Sequence, residues 1–128
     1  MKNGLTTLEL IIVIVILSVM ATLALPAYNR SKEIVYDNQA KADLKIIVSS
    51  EKNYKYEMTT YYPSTGSVTD IMAINNNLSL TLSAGNNRIW DYTVKSTGCG
   101  QATRYGGDYR NWTMNFTNTT TPISGTCP

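Results

Sequence analysis

Leu8 to Ala27 reads LELIIVIVILSVMATLALPA, and the chain carries no charge anywhere from Leu10 to Asn29. A helix of roughly 20 residues, rising about 1.5 Å at each, spans about 30 Å, the thickness of a bilayer's hydrocarbon core. To bury such a helix, a soluble domain needs apolar partners on every side, and the remaining sequence is too polar to supply them. The segment is therefore expected to enter a membrane at some stage. The next stretch, Arg30 to Glu57, is densely charged, with 6 basic and 5 acidic side chains and no Pro or Gly. Tyr36, Ala40, Leu44, Ile47, Tyr54 and Met58 recur at spacings of four, four, three, seven and four, which turns one helical face toward a core. Ile34, Val35, Ala42 and Ile46 form a second face pointing away from it. Pro26 removes one hydrogen bond but is tolerated as a kink, so no stop signal separates the two stretches. The reading is one helix from about Leu5 to about Met58, roughly 80 Å long at the standard rise.

Beyond Met58 the composition changes to Thr, Asn, Ser and Gly, and only seven charges remain before the end of the chain. Tyr62 to Gly66 reads as a turn and Val68 to Ile74 as a short helix. Three runs then alternate with period two: Leu78, Leu80, Leu82; Trp90, Tyr92, Val94; and Trp112, Met114, Phe116. Asn86-Asn87 suits a turn between the first two, and Gly98 to Gly107 a longer connection before the third. The expected fold class is α+β, a long N-terminal helix packed on a small antiparallel sheet of three to four strands, with the Tyr36–Met58 stripe covering the sheet's apolar face. Cys99 and Cys127 bracket most of the last strand and the tail. The expectation is a Cys99–Cys127 disulfide in an exported domain, and the alternative is two free buried thiols in a cytosolic protein.

The whole chain, 128 residues with a net charge of +2, no histidine and two cysteines, has room for about one domain. It lacks the concentrated positive field of a dedicated nucleic-acid binder, the commonest general base and the commonest zinc ligand. Two cysteines cannot build a four-thiolate site. Asp70, Asp91 and Asp108 stand singly, and there is no phosphate loop or nucleophile elbow, so neither an enzyme, a metal site nor a cofactor is expected. Gly106-Gly107-Asp108 reads as a turn rather than a calcium loop. The sequons at Asn29, Asn77, Asn111, Asn115 and Asn118 follow from composition in so Asn- and Thr-rich a chain. Of the tyrosines, Tyr36, Tyr54 and Tyr92 are expected as core and interface residues, and Tyr61, Tyr62, Tyr105 and Tyr109 in loops or subunit contacts.

Glu9 sits just inside the apolar run, where an ionised carboxylate costs several kcal/mol unless it finds a partner or reaches interfacial water. Lys2-Asn3-Gly4-Leu5-Thr6-Thr7-Leu8-Glu9-Leu10, followed by the unbroken apolar helix and Pro26-Ala27-Tyr28, resembles the N-terminal signature of type IV pilins and type II secretion pseudopilins. Gly4, Thr6, Glu9, Leu10 and Pro26 fit the family pattern. Leu5 stands where Phe or Met is usual, and Thr7 where Leu is usual. The close resemblance extends from the start of the chain to about Arg30, and the rest agrees only in architecture. It implies a leader at 1–4, an apolar transmembrane and filament-core helix at 5–29, and a pilin-like domain at 30–128, with the amphipathic helix at 30–58 and the loop and sheet at 59–128. It also implies that a prepilin peptidase and N-methyltransferase cuts between Gly4 and Leu5 and methylates the Leu5 amine. That cation, four residues before Glu9, would pair with Glu9 of a neighbouring copy, because a copy docked out of register leaves the carboxylate buried and unpaired.

The implied function is a structural subunit of a type IV pilus serving adhesion, motility or DNA uptake. Its implied partners are other copies of itself, inner-membrane pilus or secretion assembly machinery and, before assembly, membrane lipid; the composition itself predicts no nucleic-acid partner. A type II secretion pseudopilin is the second reading, and a monomeric single-span anchored binding domain the third. The implied location is the inner membrane, with the C-terminal domain outside the cytoplasm, and then an extracellular or periplasmic filament. One count opposes that topology. Lys2 faces Arg30, Lys32, Lys41 and Lys45 across the span, and the positive-inside rule alone puts the C-terminal domain in the cytoplasm. The cysteine pair and the pilin-like start favour the outside.

Overall fold

The computed structural model describes residues 6–106, 109–117 and 121–128. Helix α1 (Thr7–Met58) is followed by strand β1 (Ser67–Val68), helix α2 (Ile71–Leu78) and strands β2 (Trp90–Lys95), β3 (Cys99–Arg104), β4 (Asn111–Asn115) and β5 (Ile123–Ser124). The five strands form one antiparallel sheet in sequence order, and the fold is α+β. The chain divides into two compact units with the boundary between Val35 and Tyr36.

In the first unit α1 continues through Pro26. The hydroxyls nearby bond back into the helix, Ser18 Oγ donating to the Ile14 carbonyl at 2.7 Å and Thr22 Oγ1 to the Val19 carbonyl at 2.7 Å. A polar side chain that satisfies itself this way is compatible with apolar surroundings.

In the second unit the remainder of α1, from Tyr36, covers one face of the sheet. Ala40, Leu44 and Ile47 are buried, Tyr36 and Tyr54 half-buried, and Ala42 and Ile46 exposed, as their spacing predicts, and Val48 is buried beside them. Met58 departs from the expectation at 56% exposure. It is the last residue of α1, and Thr59, with φ at 64°, turns the chain away there. From the sheet, the even-numbered residues of β2, β3 and β4 face the helix. Trp90, Tyr92 and Val94 pair with Arg104, Ala102 and Gly100, and the latter two with Trp112 and Met114. Polar bonds fix the helix lengthwise on this face. Trp90 Nε1 donates to the Tyr36 carbonyl at 2.9 Å, the Tyr92 hydroxyl donates to Asp43, and Arg110 donates to Asp37 at 3.3 Å. Such bonds specify one register where apolar contact alone tolerates sliding.

Three expectations for the sheet are corrected. The sheet has five strands rather than three or four, and Gly98 to Gly107 contains β3 rather than a long connection. The segment CGQATR carries none of the usual strand signal of branched and aromatic residues beyond a single Thr. Packing leaves little room at Gly100: a Cβ there would lie 3.2 Å from the Phe116 ring and 3.4 Å from Leu44 Cδ2. Nor is Leu78 to Leu82 a strand. Leu78 ends α2, Ser79 takes the left-handed conformation, and the Asn75 side chain occupies both backbone groups of Leu82, at 2.9 Å each. The short helix accordingly runs from Ile71, three residues later than expected, with Asp70 Oδ1 capping it by accepting from the Met72 N–H at 3.0 Å. The Asn86-Asn87 turn is present, closed by Arg88 N–H donating to the Gly85 carbonyl at 3.1 Å, but it joins an irregular segment to β2.

Candidate functional site

The candidate site is the start of α1, a surface made of one kind of chemistry. Every large apolar side chain from Leu8 to Leu25 is exposed, from 45% at Val13 to 73% at Leu23. Among the described residues α1 alone is long and apolar enough to cross a membrane. A contiguous face of this size is stable only against lipid or other apolar protein surface.

Thr6 opens the helix. Its carbonyl accepts from the Leu10 N–H at 3.2 Å and its Oγ1 from the Glu9 N–H at 3.3 Å. Thr6-x-x-Glu9 thus has the spacing of a capping box, and Glu9 stands at the third helical position, where a carboxylate is favoured by the free N–H groups and the helix dipole. The four-letter pattern was available in the sequence and gives Glu9 a local role in addition to any pairing with another copy. Gly4 and Leu5, the expected processing site, lie outside the described residues. Pro26 is where the sequence places it, inside a helix that does not stop.

At the other end of the chain Cys99 and Cys127 form a disulfide, with Cα atoms 6.0 Å apart. The tail is held by more than the sulfurs. Cys127 N–H donates to Gln101 Oε1 at 3.1 Å, and Lys95 Nζ donates to the carbonyls of Cys127 and Pro128, each at 3.1 Å. Closing a loop over this sequence separation of 28 corresponds to about 3–4 kcal/mol of stability.

Glu51 is the residue sequence reasoning missed. It is on the sheet-facing stripe of α1, wholly buried, with Oε2 accepting from the Tyr62 N–H at 2.9 Å and no hydrogen-bond partner for Oε1 among the described residues. Burial pushes its pKa up from the ordinary 4.5 to about 7, and the Tyr62 N–H opposes that rise. The signal was in the spacing, since the seven-residue step from Ile47 to Tyr54 straddles position 51.

The remaining candidates carry less chemistry. Gly107, Asp108 and Asn118 lie outside the described residues. Among the described residues no three His, Cys, Asp or Glu side chains converge on a possible metal position. Asn77 Nδ2 is engaged by the Ala73 carbonyl and the Tyr62 hydroxyl, and Asn111 and Asn115 lie in β4. Tyr92 is buried, and burial together with its bond to Asp43 raises its phenol pKa far above the ordinary value. Tyr61 and Tyr62 lie in a loop, as expected, and are half-buried there, Tyr61 packing edge-on against Phe116 and Tyr62 against Tyr54, while Tyr109 is 94% exposed. No protein-family model, curated protein or solved structure matches this chain.

Proposed function

We propose that the chain is a structural subunit of a type IV pilus filament, anchored in the inner membrane by the first half of α1 and assembled by burying that segment against the same segment of other copies. The observation that carries this reading is the exposed apolar surface from Leu8 to Leu25, which begins one residue before a carboxylate within a Gly4-x-x-x-x-Glu9 start. Processing between Gly4 and Leu5 supplies a methylated amine as the partner for Glu9. Head-to-tail contacts that do not close on themselves give an open fibre from one self-complementary surface. The disulfide-closed C-terminal segment favours a pilus subunit over a secretion pseudopilin, and an oxidised pair favours a domain outside the cytoplasm.

The test is a pair of substitutions in the native host. Glu9→Ala and Glu9→Leu are expected to leave membrane insertion intact and to abolish filaments in sheared surface fractions and in negatively stained preparations. Normal fibres from either variant contradict the pairing role.

A further inference from the structure

The segment 59–66 crosses from the end of α1 to β1 as a strap with positive φ at both ends, 64° at Thr59 and 74° at Gly66. Between these pivots its attachments are side-chain contacts. Tyr61 packs edge-on against Phe116 at 5.2 Å, Tyr62 packs edge-on against Tyr54 at 5.8 Å, and the Tyr62 hydroxyl accepts from Asn77 Nδ2 at 3.1 Å. Among the described residues, the one backbone attachment from the strap's centre to α1 is the Tyr62 N–H on Glu51. A buried carboxylate with one oxygen unpartnered is tolerable when protonated and expensive when ionised. We propose that Glu51 is a proton-operated latch for the 59–66 strap: neutral, it stays beneath the strap and holds Tyr62; ionised, it moves to water and the strap lifts.

The groups around the latch do not neutralise it. On α1, Lys52 is exposed, and Lys55 places its Nζ 4.2 Å from the centre of the Tyr61 ring rather than on the carboxylate. The Asp70 carboxylate at the start of α2 acts with Glu51 to raise the Tyr62 phenol, after burial itself, so it adds like charge rather than a counter-ion. From the sheet, the Lys95 ammonium is engaged by the Cys127 and Pro128 carbonyls. The sign follows from the direction of the Glu51 shift. Its folded pKa lies above its released value, so the docked state binds the proton more tightly. The strap is held most firmly below about pH 4.5 and loosens as pH rises toward about 7.

Hydrogen exchange of the full-length protein in detergent micelles reads this directly. After correction for intrinsic rates, protection in peptides covering 60–66 should fall about thirtyfold between about pH 5.5 and about pH 8.5, for a group titrating near 4.5 when released and about 7 when docked. Protection in β3 should stay constant. Glu51→Gln keeps the acceptor for Tyr62 and should remove the pH dependence. Unchanged strap protection in the native sequence, a fall shared equally by β3, or a Glu51→Gln variant that retains the fall would each overturn the latch. Should that variant not fold, the Glu51 carboxyl carbon resonance of the native sequence decides: a midpoint near 7 supports the latch, and one near 4.5 overturns it.

Discussion

At the scale of single residues, two carboxylates illustrate how differently a sequence reveals its exceptions. Glu9 stands out because it is a charge in an otherwise pure apolar run, and at the helix start its N–H is capped by the Thr6 hydroxyl, at the spacing of a capping box. Glu51 is hidden because it belongs to a stretch full of charges. Only the helical period shows that it shares a face with Leu44 and Ile47, and periodicity alone cannot say that the chain would bury it. Gly100 shows the same limit. In the sequence it reads as a loop glycine, and its reason appears only when Phe116 and Leu44, far away in the chain, close on the space beside it. Gly100→Ala is expected to destabilise the second unit by about 1–3 kcal/mol through overpacking. Thermal unfolding of the full chain in detergent should show a lower midpoint with the disulfide intact, and an unchanged midpoint would mean that the core yields more easily than this packing implies.

At the scale of elements, long periodic segments were legible and short ones were not. The helix from Thr7 to Met58 follows from an apolar run, an amphipathic stripe and a tolerated proline, and its observed bounds lie within about two residues of the expected ones. β2 and β4 follow from clean alternation. The Leu78-Leu80-Leu82 alternation misleads because capping and side-chain bonds override it: Asp70 starts a helix that carries through Leu78, and Asn75 then takes the Leu82 backbone groups a neighbouring strand would otherwise use. β3 has the opposite history. Its own sequence is a poor strand, but it lies between β2 and β4, and pairing on both sides supplies what propensity does not. The two-residue strands β1 and β5 have no sequence signal of their own and exist through their partners.

At the scale of the whole molecule, the average composition conceals three materials: an apolar spine, a charged amphipathic helix and a polar sheet. The small sheet has little core of its own, and the disulfide joins the start of β3 to the last residues of the chain. Replacing both cysteines, Cys99→Ser with Cys127→Ser, is expected to lower the stability of the second unit by about 3–4 kcal/mol, measured by denaturant unfolding of the full chain. A loss below about 1 kcal/mol would mean that Gln101 and Lys95 hold the tail without the sulfurs. The spine is the part for which the single chain offers no cover, and the filament reading gives it one.

That reading is tested most directly by the intact mass of the protein purified from its native host. A processed pilus subunit begins at Leu5, with a mass equal to that of residues 5–128 plus the CH2 that one N-methylation adds. A mature protein that retains Met1, or that begins at Leu5 without the methyl group, contradicts it.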